Sequence, residues 1–215
     1  MERAVAWDIE TLGLDKQNDC VTVLAVHAPG FGESKVWRFV EHNEAGEVVY
    51  KKNHIDLMLE VVELFECADY LIGYNTLCFD IPFLQQAFQI DNETIQRWVL
   101  KSFDLHEIAR RAFGRTFPLD LLLKTNGFSV SKTGTGLQAV QQARNAEWEA
   151  LESYCLKDAE LTYEISSLPS LLFPEGYRFR QSTGDAVNSK KGLYLSLQNF
   201  PHIEFSYRPC KRITA

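Results

Sequence analysis

Hydrophobic and polar residues along the chain predict short strands before the first long helix. Apolar residues alternate with small or polar ones over 3–9, and two further β-prone runs lie at 20–27 and 35–40. Turn-forming residues at 30–34 predict a hairpin between the second and third strands. From 55 to 67 the apolar residues recur at helical spacing. The first third of the chain is therefore expected to form three strands followed by a helix.

The following segments alternate between predicted strands and helices. A buried strand is expected at 70–74, and a helix should begin near Ile81 and Pro82 because proline is favoured in a first helical turn. The other predicted elements are a strand at 98–100, helices at 105–113 and 146–166, and a polar connecting loop at 126–136. This order predicts an α/β domain with helices packed on a mixed sheet.

Composition indicates a globular protein that needs no disulfides. The sequence is 46% hydrophobic and 24% charged, and its longest apolar runs are too short for a membrane span. The first residues lack the apolar stretch of a signal peptide. The five cysteines contain no Cys-x-x-Cys pair, which argues against a zinc site. We expect an intracellular protein, cytoplasmic or nucleoid-associated, whose cysteines are small buried hydrophobes.

The net charge of −7 is unevenly distributed. Residues 173–215 contain seven Lys and Arg against three Asp and Glu, so 1–172 carries the acidic excess. We expect a domain at 1–172 and a basic, aromatic extension at 173–215 packed on the same domain. Basic and aromatic residues together suit single-stranded nucleic acid, and they suit equally an amphipathic β-hairpin covering the sheet. An acidic body is compatible with a protein whose acids hold divalent cations.

Two acidic residues share one face of the first strand. Asp8 and Glu10 are two positions apart and therefore point the same way, alongside Ala4 and Ala6. The opposite face carries the bulky residues Val5, Trp7 and Ile9. Adjacent carboxylates repel and are costly to desolvate, and a divalent cation removes both problems. The alternative is an exposed edge strand with solvated acids, but the apolar density favours a central strand.

Further candidates lie at Asp80 and on the last predicted helix. Asp80 follows Phe79 and can be a helix N-cap, a metal ligand or both. Tyr154 and Asp158 are four positions apart and share a helix face. A phenol beside a carboxylate can orient a water molecule, although with an ordinary pKa near 10 it is a poor base at neutral pH. The alternative is a surface tyrosine on an amphipathic helix.

Taken together, these residues resemble a known family. The three segments are Asp8-Ile9-Glu10, Asn75-x-x-x-Phe79-Asp80 and Tyr154-x-x-x-Asp158. They resemble the exonuclease motifs of the DEDD superfamily, in its tyrosine (DEDDy) branch of 3′–5′ exonucleases, which includes proofreading domains of family A and B DNA polymerases. In the histidine branch a histidine would stand at Ser153. The resemblance covers roughly 1–166 and implies a ribonuclease H-like fold, a mixed five-stranded sheet flanked by helices.

The resemblance also implies a role for each motif residue. Asp8, Glu10 and Asp158 would bind one divalent cation, Mg²⁺ or Mn²⁺, and Asp80 would hold a second cation through water, with Asp8 bridging. Tyr154 would position the attacking water. The residues implied at the substrate are Thr11 and Leu12 on the terminal nucleotide, and Asn75 and Phe79 along its path.

These observations predict a metal-dependent 3′–5′ exonuclease. It would release nucleoside 5′-monophosphates from a single-stranded 3′ end, with DNA favoured over RNA, and a polymerase or helicase is a candidate partner. One rival is a catalytically inactive nucleic-acid-binding module with the same fold. Another is an interaction domain without a nucleic-acid partner.

Overall fold

The computed structural model describes residues 3–129, 136–168, 171–174 and 177–179. Its strands are β1 (Ala4–Thr11), β2 (Val21–Ala28), β3 (Glu33–Arg38), β4 (Val40–His42), β5 (Val48–Tyr50), β6 (Tyr70–Gly73), β7 (Ser102–Asp104), β8 (Leu171–Phe173) and β9 (Tyr177–Phe179). Its helices are α1 (His54–Cys67), α2 (Asp80–Phe88), α3 (Asn92–Lys101), α4 (Leu105–Phe113), α5 (Leu119–Thr125), α6 (Gly136–Arg144) and α7 (Trp148–Ser166). None of these helices is both long and apolar enough to cross a bilayer.

Five strands form one mixed sheet in the order β3-β2-β1-β6-β7. The first three strands pair antiparallel, as the predicted hairpin requires, and β6 and β7 continue the sheet in parallel with β1. Two small antiparallel pairs, β4 with β5 and β8 with β9, lie outside it. The predicted mixed five-stranded sheet flanked by helices is confirmed, and β1 is central rather than an edge strand.

The two faces of β1 have the packing expected from their side chains. The bulky face belongs to the main core, where the rings of Trp7 and of Phe65 on α1 lie 5.0 Å apart. On the other face Ala4 and Ala6 are fully buried next to Tyr163 of α7. Because an alanine side chain ends at Cβ, α7 lies close to the sheet, which brings its residues to the carboxylates at the far end of β1.

The prediction of a strand at 98–100 is wrong, since these residues form the end of α3. Asp91 caps this helix by accepting a hydrogen bond from the backbone N–H of Thr94, at 2.9 Å. Trp98 is fully buried whereas Leu100 is 71% exposed, as a helix that packs on one side requires. A short apolar run does not by itself separate a helix from a strand, and the actual strand, β7, begins two residues later.

Several short elements were not predicted. They are β4, β5, α5 and α6, together with the pair β8–β9. The loop predicted at 126–136 is described only to residue 129, and α6 begins at Gly136. The predicted N-cap role of Asp80 is also wrong, because Phe79 occupies the cap position and Asp80 is the first helical residue.

The cysteines are less buried than expected. Cys20, Cys67, Cys78 and Cys155 are free thiols, and of these four only Cys155 is buried. Cys67 is exposed at the end of α1. Cys210 lies outside the described residues. The interpretation as small buried hydrophobes therefore fits Cys155 alone among the four.

Replacing Gly73 should destabilise the protein. A Cβ added there would lie 2.1 Å from Cγ2 of Thr76, which is fully buried in the loop that follows β6. We expect Gly73→Ala to lower the free energy of unfolding by about 1–3 kcal/mol, as for other overpacked sites. Chemical denaturation measures this. In the matched control Gly136→Ala the added Cβ meets no atom within 4 Å, so its stability should be unchanged or slightly higher. Equal stability of both variants would contradict the proposed clash.

Candidate functional site

Three carboxylates from two elements meet at the carboxyl end of β1. Asp8 and Glu10 come from β1 and Asp158 from α7, and one oxygen of each lies within 4.8 Å of the other two. Asp158 is buried, and the strand acids are partly buried. Oxygens bound to one Mg²⁺, Mn²⁺ or Ca²⁺ are at most about 4–5 Å apart, since each lies about 2.0–2.6 Å from the ion. The group therefore has the composition and spacing of a divalent-cation site.

Tyr154 lies beside this group on the same face of α7. Its side chain is hydrogen-bonded to that of Asp158, as the four-residue spacing predicts. Burial raises the pKa of the Tyr154 phenol well above its usual value, and the charges of Asp158, Glu10 and Asp8 raise it further. The phenol therefore stays protonated at neutral pH and is a hydrogen-bond donor rather than a base.

Cys155 also touches the acidic group, which the sequence analysis did not anticipate. Its Sγ lies 3.4 Å from the carbonyl oxygen of Asp8 and 3.7 Å from the Asp8 Oδ2. Burial and the nearby carboxylates raise the pKa of this thiol, so it remains a neutral donor. Its position three residues before Asp158, on the same helix face, is the signal that could have identified it.

Asp80, the fourth predicted acid, contacts the backbone of β1. It is 3% exposed at the start of α2, and its carboxylate accepts a hydrogen bond from the backbone N–H of Ile9, between the two strand acids. It is not part of the group of three within 4.8 Å. Burial, together with the charge of Asp104, raises the pKa of Asp80 to about 7. A cation bound nearby would favour the ionised form of Asp80.

Asp104 is a second buried acid that sequence reasoning missed. It ends β7, is 1% exposed and accepts hydrogen bonds from four backbone N–H groups. Two of the donors are at the start of α4 and two, Asn75 and Leu77, are in the loop before Asp80. Burial raises the pKa of Asp104 above its usual value. The position of Asp104 between a strand and a helix could have identified it from the sequence as a helix cap. Its contacts with the loop could not have been predicted in this way.

The four residues predicted at the substrate lie at the end of β1, directly after it, and in the loop before α2. Thr11 is buried, and its hydroxyl donates to the carbonyl of Gly13 at 2.6 Å. Leu12 is half-buried against the cluster that contains Tyr154. Asn75 has a left-handed backbone with φ of 69°. Phe79 is half-buried, with its ring 5.5 Å from that of Phe83.

Two further residues of the loop after β1, Lys16 and Leu14, were not among the predicted site residues. Lys16 donates from Nζ to the carbonyl of Cys78 at 3.1 Å, lies 5.9 Å from the ring of Phe79 and places a positive charge near Asp80. Leu14 is 81% exposed.

A groove of about 440 Å³ opens beside Tyr154 between α6 and α7. Its lining includes Gln142, Ser153 and Lys157 as polar residues and Leu156 as an apolar one. Residues 131–136 of the predicted connecting loop, with the sequence Ser-Lys-Thr-Gly-Thr-Gly, lie outside the described residues except for Gly136. The same holds for the extension at 173–215 beyond 173–174 and 177–179. The roles of both segments stay predictions.

Comparison with known proteins identifies the family. The profile of the RNase_H superfamily matches residues 5–167. The chain therefore belongs to the RNase H superfamily, and the ribonuclease H-like fold expected from the motifs is confirmed. A search of curated proteins returned no matching sequence.

Comparison with solved structures shows the fold of this chain in one DNA polymerase and a weaker likeness to two nucleases. The family B DNA polymerase from the hyperthermophilic archaeon Pyrobaculum calidifontis is similar at a TM-score of 0.57 and 22% identity, over 76% of this chain and 24% of the polymerase. Exonuclease I in a product-bound structure has a TM-score of 0.45 and 17% identity, over 70% of this chain and 45% of its own. A nuclease in its apo form has a TM-score of 0.45 and 20% identity, over 75% of this chain and 68% of that nuclease. The chain thus spans about a quarter of the polymerase.

The raised pKa of Asp80 predicts how stability depends on pH in the absence of metal. A raised pKa means that the folded state disfavours the ionised form, so the protein loses stability as pH rises to about 7. Asp80→Asn removes this loss, on the order of a few kcal/mol at most. Because an unfolded aspartate ionises near pH 4, the loss develops between about pH 4 and pH 7. Thermal melts in EDTA at pH 5 and pH 8 should therefore show that the stability advantage of Asp80→Asn over wild type is larger at the higher pH.

The matched control is Asp56→Asn. Asp56 is an exposed acid that also lies in the first turn of a helix, α1. Its replacement should change stability equally at both pH values. A constant difference between wild type and Asp80→Asn across this range would contradict the prediction.

Proposed function

We propose that this chain is a metal-dependent 3′–5′ exonuclease of the tyrosine branch of the DEDD superfamily. It would release nucleoside 5′-monophosphates from a single-stranded 3′ end, with DNA favoured over RNA. The observation that carries the proposal is the group formed by Asp8, Glu10 and Asp158 beside the hydroxyl of Tyr154. Membership in the RNase H superfamily and the fold shared with a DNA polymerase support a nuclease.

The acids would divide between two divalent cations. Asp8, Glu10 and Asp158 would hold one cation, and Asp80 together with Asp8 would help to hold a second one. Ligands that are all oxygen suit Mg²⁺ or Mn²⁺. When bound, such a pair of cations supplies Lewis-acid activation of the attacking water and stabilises the charge on the leaving 3′-oxygen.

Tyr154 would act on the attacking water as a hydrogen-bonding group. Its hydroxyl is held by the Asp158 carboxylate, and burial raises the pKa of the phenol. It therefore does not remove a proton at neutral pH, and its contribution is orientation of the water for in-line attack. Cys155, also neutral, would help to hold Asp8 in place.

The terminal nucleotide would lie between the loops after β1 and before α2. Thr11 and Leu12 would contact it from the first loop, and Asn75 and Phe79 from the second. The exposed Leu14 adds an apolar surface for a base. Lys16, beside Phe79, would contribute a positive charge for a phosphate.

The first test is degradation of 3′-labelled single-stranded DNA, duplex DNA and RNA in Mg²⁺ or Mn²⁺. We expect labelled nucleoside 5′-monophosphate as the first product, with single-stranded DNA degraded fastest. EDTA or Asp8→Ala should reduce the rate to background, because either removes a cation from the group. Asp56→Ala, which removes an exposed acid from α1, should retain wild-type activity.

Each other outcome of this assay favours a different function. Binding of the oligonucleotide without shortening would favour the catalytically inactive module. If calorimetry detects no binding of Mn²⁺, and no oligonucleotide binds, an interaction domain without a nucleic-acid partner is favoured. Equal shortening by wild type and Asp8→Ala would contradict the proposed site.

Removing the Tyr154 hydroxyl should slow the reaction without unfolding the protein. Tyr154→Phe keeps the ring but loses one hydrogen bond to a charged group, so kcat should fall about 10- to 100-fold. Tyr163→Phe is the matched control, because Tyr163 also lies on α7 but packs against His27, with ring centres 5.1 Å apart. Steady-state kinetics and thermal melts measure both. A kcat for Tyr154→Phe equal to that of the control would exclude a role of the hydroxyl in orienting water.

A further inference from the structure

Asp104 makes more hydrogen bonds than a helix cap needs. Its Oδ1 accepts from the backbone N–H groups of His106 at 2.9 Å and Glu107 at 3.2 Å, which caps α4. The same Oδ1 accepts from the N–H of Asn75 at 2.9 Å, and Oδ2 accepts from that of Leu77 at 2.9 Å. A neutral serine or asparagine caps a helix about as well as aspartate. A buried carboxylate is therefore explained by the two contacts with the loop.

The loop reaches Asp104 because their strands are neighbours. Gly73 at the end of β6 is paired with Asp104 at the end of β7. The chain leaves β6 and passes over the Asp104 carboxylate, where Asn75 adopts its left-handed backbone. An extra side chain at Gly73 would collide with Thr76, so the loop begins under tight steric limits.

Fixing Asn75 and Leu77 also fixes Asp80. The carbonyl of Asn75 accepts from the N–H of Phe79 at 3.0 Å, and the carbonyl of Thr76 accepts from that of Ile81 at 2.9 Å. These bonds connect the anchored part of the loop to the first turn of α2. The Asp80 carboxylate then meets the backbone of β1 at Ile9.

We propose that Asp104 is a positioning residue for the loop 75–80, which it anchors so that the Asp80 carboxylate lies against β1 at Ile9, between the two strand acids. This inference rests on the proposed function. Asp104 acts through the backbone of the loop, whereas Asp80 and Asn75 would themselves act at cation and substrate. Removing the anchor should leave the group of Asp8, Glu10 and Asp158 in place and weaken the cation site at Asp80.

Two substitutions separate the loop anchor from the helix cap. Asp104→Ser retains an N-cap oxygen for α4, but its shorter side chain does not reach the loop. Asp104→Asn is the conservative variant, since its single carbonyl oxygen retains the Oδ1 contacts and places an amide group opposite Leu77. The matched control is Asp91→Ser, because Asp91 caps α3 through the N–H of Thr94 and has no contact with this loop.

The expected effect of a substitution is larger when fewer contacts with the loop remain. In Asp104→Ser, backbone amides over 75–81 should exchange hydrogen faster while those of α4 stay protected. The Mn²⁺ concentration for half-maximal cleavage should rise, and kcat should fall about 10- to 100-fold, as for other outer-shell substitutions at metal sites. Asp104→Asn should lie between this variant and wild type. Asp91→Ser should match wild type in Mn²⁺ dependence and kcat.

Several outcomes would overturn the inference. Unchanged exchange over 75–81 in Asp104→Ser would show that Asp104 does not hold the loop. Faster exchange with the kcat and Mn²⁺ dependence of the control would show an anchor without a role at the site. If Asp104→Ser does not fold, Asp104→Asn decides by the same criteria. A wild-type protein without activity would overturn the proposed function and the catalytic part of this inference, whereas hydrogen exchange would still report separately on the loop anchor.

Discussion

The close packing of α7 on β1 is the contact on which the site depends. Ala4 and Ala6 of β1 and Ala25 of β2 are fully buried on the side of the sheet that α7 covers. Their small side chains allow the helix to approach until Asp158 comes within 4.8 Å of both strand acids. A larger side chain at any of these alanines would move the helix outward and separate carboxylates that come from distant parts of the chain.

Neutral groups offset the repulsion among these acids. Tyr154 and Cys155 both lie against the carboxylates, and the pKa of each is raised, so each keeps its proton. The Asp104 carboxylate is stabilised differently, by four backbone N–H groups that donate hydrogen bonds to its oxygens. For Asp80, burial and the charge of Asp104 oppose ionisation, whereas a hydrogen bond from the backbone of Ile9 and the charge of Lys16 favour it. The polar neighbours thus hold the acids in place without neutralising them.

Local patterns predicted the parts of the site that depend on a single element. Asp8 and Glu10 share a face because a strand has period two, and Tyr154 meets Asp158 because helix positions four apart are neighbours. Contacts between elements had no such signal. Lys16 reaches the carbonyl of Cys78 from 62 positions away, and Asp104 meets the loop only because β6 and β7 pair. The same limit explains the error at 98–100, where packing against the rest of the protein selects a helix.

The separation of β1 and α7 along the chain also determines when the acidic group can form. Asp8 lies on the first strand of the described chain, whereas Cys155 and Asp158 lie on its last long helix, and Asp8 and Cys155 are 147 positions apart. During synthesis the strand acids leave the ribosome first, and they meet Asp158 only when α7 has been made and has docked. The group is therefore a product of completed folding, and a partly synthesised chain holds its acids without the arrangement that would bind a cation.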